Sequence, residues 1–275
     1  MSTPPAPSPQ SDSKVASVAW AVAAIVVALA VAFIAWLAMG DRDGEATSGE
    51  VPSTSAPSAP AAPAQPAQPA QPAQPAPDAA AQTPPPDVEE FMLSLQRRDA
   101  EDLMAIGDVD APVVMIEYAD YRCPYCASFH LDTRPALAPL VEDGTLRIEF
   151  RDLVIFDETS RLAALAGRAA AEQGHLEAFQ KEVFELSREG HGEYDRDDLI
   201  DLAGEVGVED LDAFGAALDD PDLQAAVDAD TDEARAIGVT STPTFLINTQ
   251  VVQGAYPLAY FEQVVEAEAA KVDAG

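Results

Sequence analysis

Two cysteines are the only thiols in this 275-residue chain, and they stand three positions apart in Cys123-Pro124-Tyr125-Cys126. Two thiols with two residues between them can close a disulfide within one turn. So short a loop is readily reduced and re-formed, and the pair reads as a redox couple. Two other readings compete. A purely structural bridge over this loop would stabilise little, because it removes little entropy from the unfolded chain. A zinc site could draw on Cys123, Cys126 and His130, one turn further on, but no second cysteine pair completes the ligand set. Cys123 stands where a helix-like run begins, and free N–H groups and the helix dipole there favour thiolate. Cys126, one turn in, is expected to be more buried.

Elements must hold that pair in place. Ahead of it, Pro112 to Tyr118 is β-branched and apolar and reads as a buried strand, with one residue out of character, Glu117. If this were an edge strand, Glu117 would simply face water. After the pair, Phe129, Leu137 and Leu140 recur at helical spacing, and Pro135 is expected to kink or break that helix. Thr145 to Phe150 alternates polar and apolar residues, as a half-buried strand does. Residues 157–237 carry no strand signal and form a helical block, with caps expected at Thr159-Ser160, at Asp195 with Asp198, and at Asp220-Pro221. Thr242-Pro243 then leads into the strand Thr244–Ile247, a turn over Asn248-Thr249-Gln250, a hairpin partner at Val251–Gly254 and a final helix from Tyr260 to Ala270. A short helix from Phe91 to Met104 precedes all of this. The order β–α–β, helical block, β–β–α implies an α/β fold around a mixed sheet.

The rest of the chain reads as a means of delivery. Residues 1–14 are polar and are expected to form a cytoplasmic tail. Val15 to Met39 is apolar or small except for Ser17, long enough to cross a bilayer core of about 30 Å, and Trp20 and Trp36 lie near its ends. A cleaved signal peptide has an apolar core of only about 7–15 residues, so a transmembrane anchor is the expectation, with the bulk of the chain outside. Residues 40–86 are rich in Pro, Ala and Gln, with a Pro-Ala-Gln repeat from Pro63 to Pro75. Such a segment cannot bury a core and favours an extended disordered tether; a proline-rich recognition ligand is the alternative. Residues 87–275 are one domain's length and hold 42 of the 48 acidic residues against 13 basic ones. That excess of negative charge argues against nucleic acid or anionic lipid as a partner.

Residues from about Gly107 to Ala270 resemble the DsbA-like branch of the thioredoxin superfamily, and most of all its membrane-tethered actinobacterial members. The stretches that carry the resemblance are Asp110–Val114, Glu117-Tyr118-Ala119-Asp120-Tyr121-Arg122 with the Cys123-Pro124-Tyr125-Cys126 motif, and Gly238-Val239-Thr240-Ser241-Thr242-Pro243-Thr244-Phe245. The helical block lies where that family inserts its helical subdomain, so the resemblance implies a thioredoxin-like fold with an inserted helical subdomain. It implies that Cys123 is the surface nucleophile, that Cys126 is the resolving thiol, and that Glu117 is the buried acid that moves the proton of Cys126. Pro243 would be a cis-proline facing the disulfide, with Thr242 free to pair its backbone with a substrate; a trans-proline at a strand start is the alternative. Tyr125 departs from the branch, which often has His there, and points away from its strongest oxidants. His130, His175 and His191 read as structural, surface or helix-end residues; the alternative for His130, which stands on the same helix as the cysteines, is a role in tuning them.

The resemblance and the residues together imply a membrane-anchored, extracytoplasmic thiol–disulfide oxidoreductase that forms disulfides in secreted or cell-envelope proteins with free cysteines. A quinone-linked membrane protein, DsbB-like or vitamin K epoxide reductase-like, would re-oxidise it. The Cys123–Cys126 disulfide is itself the redox group, and no metal or organic cofactor is implied. A reductase or isomerase, and a non-catalytic tethered binding module, are the competing functions.

Overall fold

The computed structural model describes residues 84–274. The expected tail, the anchor Val15–Met39 and nearly all of the tether lie outside them. Among the described residues, no helix is long and apolar enough to cross a membrane.

The sheet has five strands in the order β1-β3-β2-β4-β5. They are β1 (Ala105–Ile106), β2 (Val113–Ala119), β3 (Leu146–Asp152), β4 (Thr244–Ile247) and β5 (Gln250–Gln253). β2 runs parallel to β3 and antiparallel to β4, while β1 and β5 are antiparallel edges. The two-residue strand β1 went unread in the sequence. The first helix, α1 (Pro86–Ser94), begins and ends earlier than expected. Pro86 supplies a first helical residue that lacks an N–H to satisfy. Residues 95–104 are turns instead: Arg98 has φ of 44°, and Asp99 and Asp102 accept the N–H groups of Glu101 and Met104, side-chain bonds that compete with helix.

The cysteine segment is broken where proline demands it. The helix α2 (Pro124–Ser128) runs into a π-helical turn (Phe129–Thr133), a 3₁₀ turn (Arg134–Leu137) and α3 (Ala138–Glu142). Five helices fill the expected block: α4 (Glu158–Glu172), α5 (Leu176–Leu186), α6 (Arg196–Glu205), α7 (Leu211–Ala217) and α8 (Pro221–Ala236). Asp195 and Asp198 form a reciprocal capping box and Asp220 caps α8. The cap of α4 is Asp157 rather than Thr159-Ser160, which supply the N–H groups it accepts. The β4–β5 turn is tighter than expected, only Asn248-Thr249, with Ile247 paired to Gln250. The last helix, α9, extends over Leu258–Ala274.

β2 is central, and all seven of its residues are buried. Val113 and Met115 face a core of Phe129, Leu137, Phe245 and Phe261, and Glu117 is on the same face by the two-residue period of a strand. Val114, Ile116 and Tyr118 face the other way, toward Met92, Leu153 and Ala234. β3 corrects the half-buried expectation, because all of its residues are buried too. Its polar face, Arg147, Glu149 and Arg151, lies beneath the segment after α1 and beside α8. There Glu149 accepts both Arg147 (3.1 Å) and Arg151 (2.8 Å) and the N–H groups of Arg97 and Arg98. Ion pairing and backbone donors take the place of water for this strand.

Candidate active site

Cys123 is the N-cap of α2, and the chain reaches it from β2 by a loop tied around Asp120. The Asp120 carboxylate accepts Arg122 N (2.9 Å), Ile155 N (3.0 Å) and Ser160 Oγ (2.8 Å), and the Asp120 carbonyl accepts Cys123 N (3.0 Å). The buried Arg122 reaches in the opposite direction, donating Nε to Gly192 O (2.8 Å) and Nη2 to Glu193 (3.0 Å). His191 Nδ1–H donates to the Arg122 carbonyl at 2.8 Å. The helical insertion therefore holds the cysteine loop at its base. Tyr121, buried beneath the loop, fits because residue 167 is glycine: a Cβ there would lie 2.2 Å from the Tyr121 hydroxyl.

Cys123 is more covered than a surface nucleophile was expected to be, keeping only 4 % exposure, while Cys126 keeps none. Both are free thiols. Cys123 Sγ lies 3.4 Å from the Thr242 carbonyl, to which it donates when protonated, and the Thr242–Pro243 bond is cis. Thr242 therefore lies beside Cys123, with the cis Pro243 next to it; the trans-proline alternative does not hold. Pro124 occupies the first helical position, and the ring of Tyr125 stands out in solvent at 59 % exposure.

The two thiols are electrically opposite. The pKa of Cys123 falls to about 6, because Cys126 hydrogen-bonds to its sulfur, with Thr242 and the N–H groups of Cys126 and Tyr125 adding to the effect against a cost of burial. Burial, and the neighbouring Cys123 sulfur, push Cys126 well above the ordinary thiol range. At neutral pH the first is a thiolate and the second a thiol.

Glu117 is fully buried beneath the pair in the central strand, not at an edge, and its charge contributes to raising the Cys126 pKa. Its Oε1 meets His130 Nε2 at 3.0 Å, whereas Oε2 is buried with no hydrogen-bond partner. His130 thus turns to Glu117 and not to a ligand set with the cysteines, and among the described residues no cluster of three or more His, Cys, Asp or Glu could hold a metal ion. Sequence reasoning placed His130 only as a neighbour of the thiols and missed Asp120, Arg122 and His191 as supports. The short spacing of Asp120 and Arg122 from Cys123 was the available signal, but their partners outside the loop lie 35 or more residues away.

A nucleophilic thiolate over a buried thiol, on a thioredoxin-type sheet interrupted by a helical block, defines a dithiol site of the DsbA-like class. The chain belongs to the thioredoxin family, whose family model matches residues 99–267. Disulfide bond formation protein D of Bacillus subtilis is 26 % identical over 167 residues, 59 % of this chain and 75 % of that protein. The Na(+)/H(+) antiporter NhaA 3 of Salinispora tropica is 36 % identical over 153 residues, 54 % of this chain but 22 % of the antiporter; the chain spans about a fifth of that relative's length. The crystal structure of an alpha-DsbA1 variant from Wolbachia pipientis superposes with a TM-score of 0.57 at 25 % identity, over 68 % of this chain and 98 % of that one.

Proposed function

We propose that this chain is a membrane-anchored, extracytoplasmic thiol–disulfide oxidoreductase that introduces disulfides into secreted or cell-envelope proteins. The observation that carries the reading is the divergence of the two thiols, with Cys123 titrating near pH 6 above a Cys126 that stays protonated. A low nucleophile pKa stabilises the reduced pair and so makes the disulfide more oxidising. Reference values run from about 7 in thioredoxin to about 3.5 in DsbA, and the downward shift of Cys123 is in the direction of that series.

A substrate thiolate attacks Cys123 Sγ of the oxidised pair, forming a mixed disulfide and leaving the bonding electrons on Cys126. The substrate's second thiolate then attacks its own sulfur in that bond and expels Cys123 as thiolate. Two electrons pass from substrate to protein, and a quinone-linked membrane partner, DsbB-like or vitamin K epoxide reductase-like, removes them. The pair itself is the redox group, so the cycle requires no metal or organic cofactor. Glu117 serves the proton of Cys126, and Thr242 with Pro243 faces the incoming peptide. Exposed Tyr125, Ile155 and Phe156 offer apolar surface to an unfolded substrate. The span Val15–Met39 holds the domain outside the membrane, and residues 40–86 tether it.

The test is the equilibrium of the Cys123–Cys126 pair with glutathione, joined to oxidation of a reduced dithiol peptide by the full chain. The expected potential is well above the roughly −270 mV of thioredoxin, with activity abolished in Cys123→Ser. A potential at the thioredoxin value would make the chain a reductase, and peptide binding with no exchange would make it a binding module.

A further inference from the structure

When Cys126 leaves as a thiolate it has no solvent from which to take a proton. It is fully buried, and so is Glu117. A carboxylate sealed in this way can pass on a proton only if another group supplies it. Among the described residues, the one side chain that hydrogen-bonds to Glu117 is His130, itself only 2 % exposed. The far side of the same imidazole behaves differently, because His130 lines a cavity of about 350 Å³ with Leu131, Arg134, Ile148, Glu177 and Lys181. The rim of that cavity is wet: the side chains of Glu177 and Lys181 are 63 % and 67 % exposed.

The hydrogen bonds orient the ring. Arg134 Nη1 lies 3.5 Å from His130 Nδ1, and a guanidinium can only donate. Nδ1 is therefore the acceptor, and Nε2–H points its proton at Glu117 Oε1. Phe184, stacked on the ring at 4.0 Å, and Phe150, edge-on at 5.7 Å, fix its plane. We propose that His130, acting through Glu117, is a positioning residue that carries the proton of Cys126 between the buried thiol and solvent in the cavity. The proposal rests on the disulfide-exchange reading above and adds a route to it.

The step balances as one proton. A proton enters at Nδ1 from the cavity, Nε2 gives its own to the Glu117 carboxylate, and the carboxyl so formed passes it to Cys126 Sγ, where the electron pair left by the broken Cys123–Cys126 bond receives it. Oxidation of the pair runs the route backwards. The groups that set its pH dependence are Glu117 on β2, Arg134 on the same segment as His130, Glu177 and Lys181 on α5, Glu142 on α3, and Cys126 itself. Burial, aided by Arg134 and opposed by Glu117 and Glu177, lowers the pKa of His130, so the resting ring is neutral, and Nδ1, held only by the long 3.5 Å contact with Arg134, takes a proton when that contact yields.

The experiment is single-turnover reduction of the oxidised full chain by dithiothreitol, followed by rapid quench and thiol alkylation. His130→Gln keeps an amide N–H to offer Glu117 but cannot pass a proton through, whereas His130→Ala joins the vacated space to the cavity. Both variants are expected to slow reduction by on the order of 10–100-fold, at or below the lower end for a positioned proton-transfer group. Added imidazole is expected to restore His130→Ala, while cyclopentanol at the same concentration does not. The iodoacetamide reaction of Cys123 in the reduced variants should keep its midpoint near pH 6, which shows that the fold and nucleophile survive. Wild-type speed in His130→Gln, or a folded His130→Ala that imidazole leaves slow, overturns the proposal. A wild-type chain that exchanges no disulfide overturns the proposed function instead.

Discussion

Cys123 and Cys126 are the same residue type three positions apart, and burial together with one hydrogen bond sets their ionisation far apart. The thiol of one solvates the thiolate of the other, and the N–H groups of Tyr125 and Cys126 add to it. Alkylation of the reduced chain is therefore expected at Cys123 alone, with a rate that titrates near pH 6, as peptide mapping across pH 4–9 would show. Stability follows the same shift. A folded pKa near 6, below the unfolded thiol value of about 8.5, gives the reduced protein a contribution that is fully present above the unfolded value and is lost as pH falls through 6. Cys126, shifted upward, acts in the opposite sense and only above the unfolded value. Urea midpoints of the reduced wild-type chain, compared with Cys123→Ser, are expected to diverge in favour of the wild type as pH rises from 6 to 8. Identical pH slopes would mean that Cys123 is not shifted.

At the scale of elements, the active-site loop is tied to the helical insertion more than to its own helix. Asp120 serves a backbone N–H of its own loop, one of the loop after β3, and a hydroxyl of α4. Asp120→Ala strands these donors in a buried place, at about 1–3 kcal/mol for each group left without a partner. The expected outcome is a lower urea midpoint, equivalent to a loss of up to about 3–9 kcal/mol if all three donors are left without a partner, and a rise in the Cys123 titration midpoint as the loop loosens. An unchanged midpoint in both would remove Asp120 from the support of the site. The strands, the caps at Asp195 and Asp220 and the break at Pro135 were legible in the sequence because they arise from local chemistry. The two-residue β1 was not, since an edge strand that short has no period to read. The end of α1 was misread because the Asp99 and Asp102 turns compete locally with a helix-like apolar spacing.

At the scale of the molecule, the acidic excess sits over a buried ionic layer. Glu149, fully buried, is the acceptor shared by Arg147, by the equally buried Arg151 and by two backbone N–H groups. Burial works to raise its pKa, but these donors outweigh burial and the net shift is downward. Its contribution to stability is present above the unfolded carboxylate value of about 4.3 and is lost as pH falls through the lower folded one. Glu149→Ala takes from Arg147 its carboxylate partner and leaves Arg151 only the longer contacts to Glu233 (3.6 Å) and Asp102 (3.8 Å), and breaking such a buried pair costs about 3–5 kcal/mol. Thermal unfolding at pH 7 is expected to show that loss, with a weaker dependence on pH below 4. A variant as stable as the wild type would show that water reaches the layer.

The sequence by itself determined the spacing of the two thiols and the order of elements around them, because these depend on residue type, short spacing and local period; that Thr242-Pro243 stands opposite the thiols was implied by the family resemblance alone, since the contact joins residues 119 positions apart. Only the tertiary structure decided that Glu117 lies in a central strand under Cys126, that β3 buries its charged face, and that His130 turns from the thiols to the carboxyl beneath them. Each of these depends on which distant segment packs where, and so on the solvent and charge around a side chain. The ionisation of Cys123 and Cys126 comes from that surrounding, not from the four residues of the motif.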